Sequence, residues 1–203
     1  MTNAATSLID GPAGALEVAL QLPGGAPPKA LALVCHPHPV HGGTMDNKVA
    51  QMLARAFLEL GFAALRFNFR GVGRSEGSFD EGIGETEDAA AALAFGRAQT
   101  GESLPLVAAG FSFGCFVQAR LQARAAPSQM VLVGPAVGRF PVATVPPGTL
   151  VIHGEQDDVV PLADVLDWAR PQGLPVTVFP GAGHFFHGRM TELKAVVKRH
   201  CRL

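Results

Sequence analysis

Two hydrophobic patterns alternate along most of this chain. Short apolar runs bounded by Gly and Pro suit strands, and stretches with apolar residues every three or four positions suit helices. Leu8-Ile9-Asp10 and the run Leu16 to Leu22 flank a Gly11–Gly14 turn, and Pro23 to Pro28 ends the second run. Leu31 to Cys35 is wholly apolar, as a strand buried on both faces requires. It leads into His36-Pro37-His38-Pro39-Val40-His41-Gly42-Gly43, whose prolines predict a non-helical loop. From Asp46 the period changes. Val49, Met52, Leu53, Ala56, Phe57 and Leu60 share one helical face, with Gly61 as the stop.

Phe62 to Phe67 is the next predicted strand, followed by a glycine- and charge-rich loop from Asn68 to Gly77. Glu85 to Ala98 is alanine-rich, with acids early, Arg97 late and Gly101 beyond, the order a helix dipole prefers. A strand over Leu104 to Ala109 and a helix beginning at Cys115 enclose Gly110-Phe111-Ser112-Phe113-Gly114. Further strands are expected at Met130 to Val133, Leu150 to His153 and Val176 to Phe179. Helices are expected from about Leu162 to Arg170 and from about Arg189, the last carrying Leu193, Val196, Val197 and His200. This alternation predicts an α/β architecture, a mostly parallel central sheet with helices on both faces. No repeat or linker interrupts it, so residues 1–203 are expected to form a single domain.

Composition narrows the picture. With 48% apolar and 16% charged residues a buried core is expected, not bulk disorder. A formal net charge of -1 offers no field for nucleic acid, and no apolar run reaches membrane-span length. Met1 to Thr6 lack the basic and apolar segments of a signal peptide. Cys35, Cys115 and Cys201 are odd in number and widely spaced, which disfavours a disulfide framework and favours a reducing, cytoplasmic setting. No patch of sequence demands an oligomer, although a closed homodimer is compatible with the chain.

A G-x-S-x-G between a strand and a helix is the pattern of a nucleophile elbow. The chain reverses so tightly that small residues are needed on both sides of the serine, and the serine is left on a strained corner with Oγ exposed. An ordinary glycine-bounded turn is the plain alternative. Serine chemistry also needs a base in contact with Oγ and a carboxylate to orient that base. His184, in Gly181-Ala182-Gly183-His184, and one of the adjacent pair Asp157 and Asp158 supply both at expected strand ends, in the order Ser, Asp, His. The residue after the serine, Phe113, is expected to offer its backbone N–H to an oxyanion.

Four motifs in order carry a family resemblance. They are His36-Pro37-His38-Pro39 with Gly42 to Asn47, Arg66 to Ser75, the serine elbow, and His153-Gly154-Glu155-Gln156-Asp157 with Val160-Pro161. From Leu31 onward the chain resembles small α/β-hydrolases, in the lidless carboxylesterase and dienelactone-hydrolase-like branch. The resemblance implies Ser112 as nucleophile, His184 as base and then acid, and Asp157 as orienting carboxylate. It also points to the His38 N–H as second oxyanion donor, consistent with Pro37 and Pro39 having none; His41 is the reserve. It implies an acyl-enzyme esterase of small-molecule esters, without cofactor or metal. The short stretch between Met130 and Leu150 leaves no room for a helical cap.

Three rival readings come from the residues themselves. His36-x-His38-x-x-His41 with Cys35 has metal-ligand types at metallo-hydrolase spacing, but Val40 stands where that motif needs an aspartate. A triad alone does not choose between esters, thioesters and peptides. A non-catalytic binding protein of the same fold is the third. Arg66, Asn68 and Arg70 are read as fixing their loop, with Arg70 facing a substrate carboxylate as the alternative. Trp168 is read as packing, and Phe185-Phe186 as packing beneath His184.

Overall fold

The computed structural model describes residues 5–201; the signal-peptide expectation rests on Met1 to Thr6, of which the first four lie outside the described residues. An antiparallel pair, β1 (Ser7–Gly11) and β2 (Gly14–Gln21), begins the sheet. It continues through β3 (Leu31–Cys35), β4 (Ala63–Phe67), β5 (Leu106–Phe111), β6 (Gln129–Val133), β7 (Leu150–Gly154) and β8 (Val176–Phe179). The spatial order is β1-β2-β4-β3-β5-β6-β7-β8, and every pairing from β4 to β8 is parallel. The expected mostly parallel sheet is therefore present.

Helices cover both faces. α1 (Lys48–Glu59) and α5 (Met190–His200) pack on one, where Val49, Leu53, Phe57, Leu193 and Val197 meet Ala32, Val34, Ala109 and Val131. α2 (Ile83–Thr100), α3 (Phe113–Ala125) and α4 (Leu162–Ala169) pack on the other, where Ala89, Leu93, Val117 and Val165 meet Leu31, Leu33, Leu65 and Leu132. Alternate residues of each inner strand thus serve opposite layers, which is why these runs are apolar without interruption. α1 starts where the Asn47 side chain accepts the Val49 amide at 2.9 Å, and Gly61 turns the chain away at φ +84°. No helix among the described residues is long and apolar enough to cross a membrane.

The structure departs from the sequence reading at element ends. β5 runs on through Phe111 and α3 begins at Phe113, so Ser112 alone separates them. Gly110 and Phe111 stay in the sheet because they pair with Cys35 and Val133. α2 begins before Glu85, whose carboxylate accepts the amides of Asp80 (2.8 Å) and Gly82 (2.7 Å) and closes the N-terminus. The proline loop after β3 contains one 3-10 turn, Pro39–His41, where proline at the first position lacks only an N–H that no turn would use. Between β6 and β7 no α-helix is inserted, and among the described residues no helical cap covers the carboxyl ends of the parallel strands.

Candidate active site

The elbow is as tight as its glycines require. A Cβ on Gly110 would lie 2.5 Å from the Gly114 backbone, and one on Gly114 would collide with the Cys35 carbonyl at the end of β3. Ser112 itself holds φ 55° and ψ -116°, a conformation rarely adopted by a residue with a side chain. Its N–H donates to the Val133 carbonyl (2.9 Å) and its carbonyl accepts the Cys115 amide (2.9 Å), so the corner is held by both β6 and α3. Cys115 lies away from the chemistry: its thiol donates to the carbonyls of Gly110 and Val133, and burial pushes it up.

Three loops bring the expected side chains together. Ser112 Oγ lies 3.0 Å from His184 Nε2, and His184 Nδ1 lies 2.7 Å from Asp157 Oδ2. The carboxylate can only accept, so the His184 proton sits on Nδ1 and the Nε2 lone pair faces the serine hydroxyl. The other oxygen, Oδ1, accepts the amides of Val159 (2.9 Å) and Val160 (2.7 Å), which fixes the carboxylate's plane. Burial would raise this carboxyl, but the bonds from His184 and the Val160 amide outweigh it and hold Asp157 below the ordinary carboxylate range. Asp158 is exposed and makes no hydrogen bond or ion pair with His184 among the described residues, so of the adjacent pair it is Asp157 that meets the imidazole.

His153 is a neighbour to which the sequence reading gave no role. Its Nε2 lies 2.9 Å from the Val160 carbonyl and 3.3 Å from Asp157 Oδ2, so the proton on Nε2 is shared between two acceptors. Its Nδ1 is a buried acceptor without a partner among the described residues. Burial first, then the neighbouring His184, pushes the imidazole down, against the Val160 carbonyl and Asp157. The available signal was its place at the end of β7, four residues before Asp157.

Phe113 opens α3, so its amide belongs to the first turn, where no intrahelical acceptor exists. His38 stands on the opposite loop. Its carbonyl accepts the amides of His41 (3.2 Å) and Gly43 (3.0 Å), and its Nδ1 accepts that of Val40 (3.2 Å). A Cβ on Gly43 would strike the Pro37 carbonyl, so the loop can fold back here only with glycine. The His38 and His41 rings lie 4.5 Å apart at a tilt of 46°, but His36 turns inward, with Nδ1 on the Pro37 carbonyl (2.6 Å) and Nε2 on the Phe69 amide (3.1 Å). The three imidazoles therefore do not converge, and the described residues contain no group of three or more metal-ligating side chains.

Two adjoining parts of one open cavity, about 370 and 350 Å³, meet at Ser112, His38, His41, Arg139 and Val159. His184 and Phe185 line the first, and Phe113 and Phe140 the second. Phe185 is thus at the mouth and exposed, edge-on to His184 at 5.2 Å, and does not pack beneath it. Phe186 is the one that is buried, at φ 50°. Arg70 is absent from the cavity: Asp88, Asp80 and the Gly84 carbonyl hold it against α2. Arg66 and Asn68 are likewise engaged by Asp46, Met45 and Glu17, and Trp168 donates to the Val142 carbonyl from the core's edge.

Residues 27–147 match the model of a family described as "Serine aminopeptidase, S33". The chain is 31% identical to the uncharacterized protein RP471 of Rickettsia prowazekii (strain Madrid E) over 186 residues, covering 85% of this chain and 78% of that one. It is also similar to the crystal structure of XC6422 from Xanthomonas campestris, described as an α/β serine hydrolase without a lid. There the TM-score is 0.91 at 40% identity, covering 100% of this chain and 95% of the other. An α/β serine hydrolase homologue from Coxiella burnetii gives a TM-score of 0.87 at 40% identity, covering 99% and 98%.

Proposed function

The chain belongs to the α/β-hydrolase superfamily, in the family described as serine aminopeptidase, S33, and from this we propose that it is a carboxylesterase acting on small esters. The observation that carries the reading is the continuous contact from Ser112 Oγ through the His184 ring to Asp157, 3.0 Å and then 2.7 Å. In this reading His184 Nε2 takes the hydroxyl proton as Oγ attacks the ester carbonyl. Asp157 keeps the ring in the required tautomer and stabilises the imidazolium that results. The amides of Phe113 and His38 receive the oxyanion, each such donor being worth about 10²–10³ in rate. His184 then protonates the leaving alcohol, and an acyl group stays on Ser112 until His184 activates a water to release it.

No step calls for a cofactor, and the uncapped cavity suits small esters without interfacial activation. The family description raises a peptidase reading. An aminopeptidase, however, must hold a substrate ammonium close to the scissile bond, and the lining residues carry His38, His41 and Arg139 but no Asp or Glu. That charge pattern favours esters. The free, buried cysteines support a reducing compartment such as the cytoplasm.

Fluorophosphonate labelling with peptide mapping tests the proposal. A single adduct on Ser112, lost in Ser112→Ala, together with hydrolysis of p-nitrophenyl esters, is the expected result. Ester turnover that is unaffected by Ser112→Ala and ends on chelation would overturn it.

A further inference from the structure

Arg139 follows Gly138 on the connection after β6, where φ +77° and the Asp164 carboxylate 2.8 Å from a would-be Cβ restrict position 138 to glycine. The arginine lines both parts of the cavity that contains Ser112. Its Nε donates to the Val159 carbonyl at 2.9 Å, next to the loop that carries Asp157. This is one of five N–H donors on a planar group. The terminal NH2 groups make no hydrogen bond, and no carboxylate is within ion-pair distance, among the described residues.

Other arginines of this chain are engaged differently. Arg66 pairs with Asp46, Arg70 with Asp80 and Asp88, Arg124 with Glu87, Arg170 with Asp167, and Arg189 with Glu192. Near Arg139 the available acids are otherwise placed: Asp157 is committed to His184, and Asp164 lies against Gly138 without pairing with the guanidinium. A backbone carbonyl thus anchors one edge of the fork at the mouth of the site and leaves the other edge free. That is the arrangement in which arginine recognises a planar anion with two parallel bonds, and no lining acid competes for it.

Resting on the hydrolase reading above, we propose that Arg139 determines specificity by binding a carboxylate carried by the substrate, so that the preferred esters are anionic. The cavity holds Ser112 and Arg139 together within a few hundred cubic ångströms, which limits the span between scissile carbonyl and carboxylate to a short chain or one aromatic ring.

The test compares 4-acetoxybenzoate with its neutral isostere 4-acetoxybenzamide, by kcat/KM, in the wild-type protein, Arg139→Gln and Arg139→Lys. Thermal melting checks that each variant is folded, and fluorophosphonate labelling that Ser112 is reactive. The expected result is a wild-type preference for the anion whose ratio falls about tenfold or more in Arg139→Gln, through KM, with only part restored by Arg139→Lys. Protection of Ser112 from the label by 4-hydroxybenzoate, against 4-hydroxybenzamide, reads the same preference without turnover. An unchanged ratio with Ser112 still labelled would overturn the carboxylate site and leave the hydrolase standing. Full retention of the ratio by Arg139→Lys would reduce the arginine to a diffuse charge and overturn the bidentate site. Absence of both labelling and turnover would remove the hydrolase reading, and this one with it.

Discussion

His36 should make the stability of this protein fall steeply on mild acidification. The ring is fully buried, and its nitrogens meet a carbonyl of Pro37 and an amide of Phe69. Only the neutral imidazole with its proton on Nδ1 satisfies both, because a second proton on Nε2 would face the Phe69 N–H. Burial pushes the group from 6.5 to about 4, the Pro37 carbonyl opposing in part. As pH falls, the unfolded chain therefore binds this proton first. The stabilisation is complete above about pH 6.5 and is lost between there and about pH 4. At about 1.36 kcal/mol per pH unit, the whole effect is about 3 kcal/mol, of which about 2 is gone by pH 5. Urea denaturation of the wild-type protein and His36→Gln at several pH values isolates it, since His153 and the carboxylates titrate in both. The wild-type protein should lose about 2–3 kcal/mol more than the variant between pH 7 and pH 4. Parallel pH profiles would refute the argument. Because His36 lies two residues before His38, the same protonation should also loosen the loop that presents the His38 amide.

Asp157→Asn should lower kcat by about 10³–10⁴, whereas Asp158→Asn should stay within a few-fold of wild type; steady-state ester kinetics separate them. The stabilisation from the Asp157 carboxylate, whose folded value is depressed, should be present above pH 3.8 and vanish as pH falls through that lower value. Gly114→Ala drives a Cβ into the Cys35 carbonyl, which cannot yield without moving β3, so a loss of about 1–3 kcal/mol and slower fluorophosphonate labelling are expected. His153→Leu removes a donor from Asp157 and leaves the Val160 carbonyl unpaired. We expect kcat to drop about tenfold with KM little changed, and His153→Asn to restore part of it.

Much of the fold could be read from local pattern because its strands are short, apolar on both faces and punctuated by Gly and Pro. Leu31–Cys35 and Val176–Phe179 match their predicted bounds. Ends were missed where a partner decided them. β5 gained Gly110 and Phe111 through pairing with β3 and β6, and α2 gained Ile83 and Gly84 through the Glu85 carboxylate. Phe185 was misplaced because two adjacent phenylalanines look alike in sequence, while the positive φ of Phe186 sends one into the core and leaves the other at the cavity.

By itself, the sequence determined the alternation of strands and helices, the serine between two glycines, and the order in which serine, aspartate and histidine occur. These are local or ordinal properties, written in residue type and spacing. Tertiary structure alone decided which of two adjacent aspartates meets His184 and that His153 shares the same carboxylate. It also left Arg139 without an ion pair among the described residues, in the cavity that Ser112 lines, while Arg70 is bound to α2. Ser112 and His184 are separated by 72 positions, and Arg139 and Val159 by 20. Contacts of that kind depend on which loops the sheet order brings to one edge, and no local pattern encodes that order.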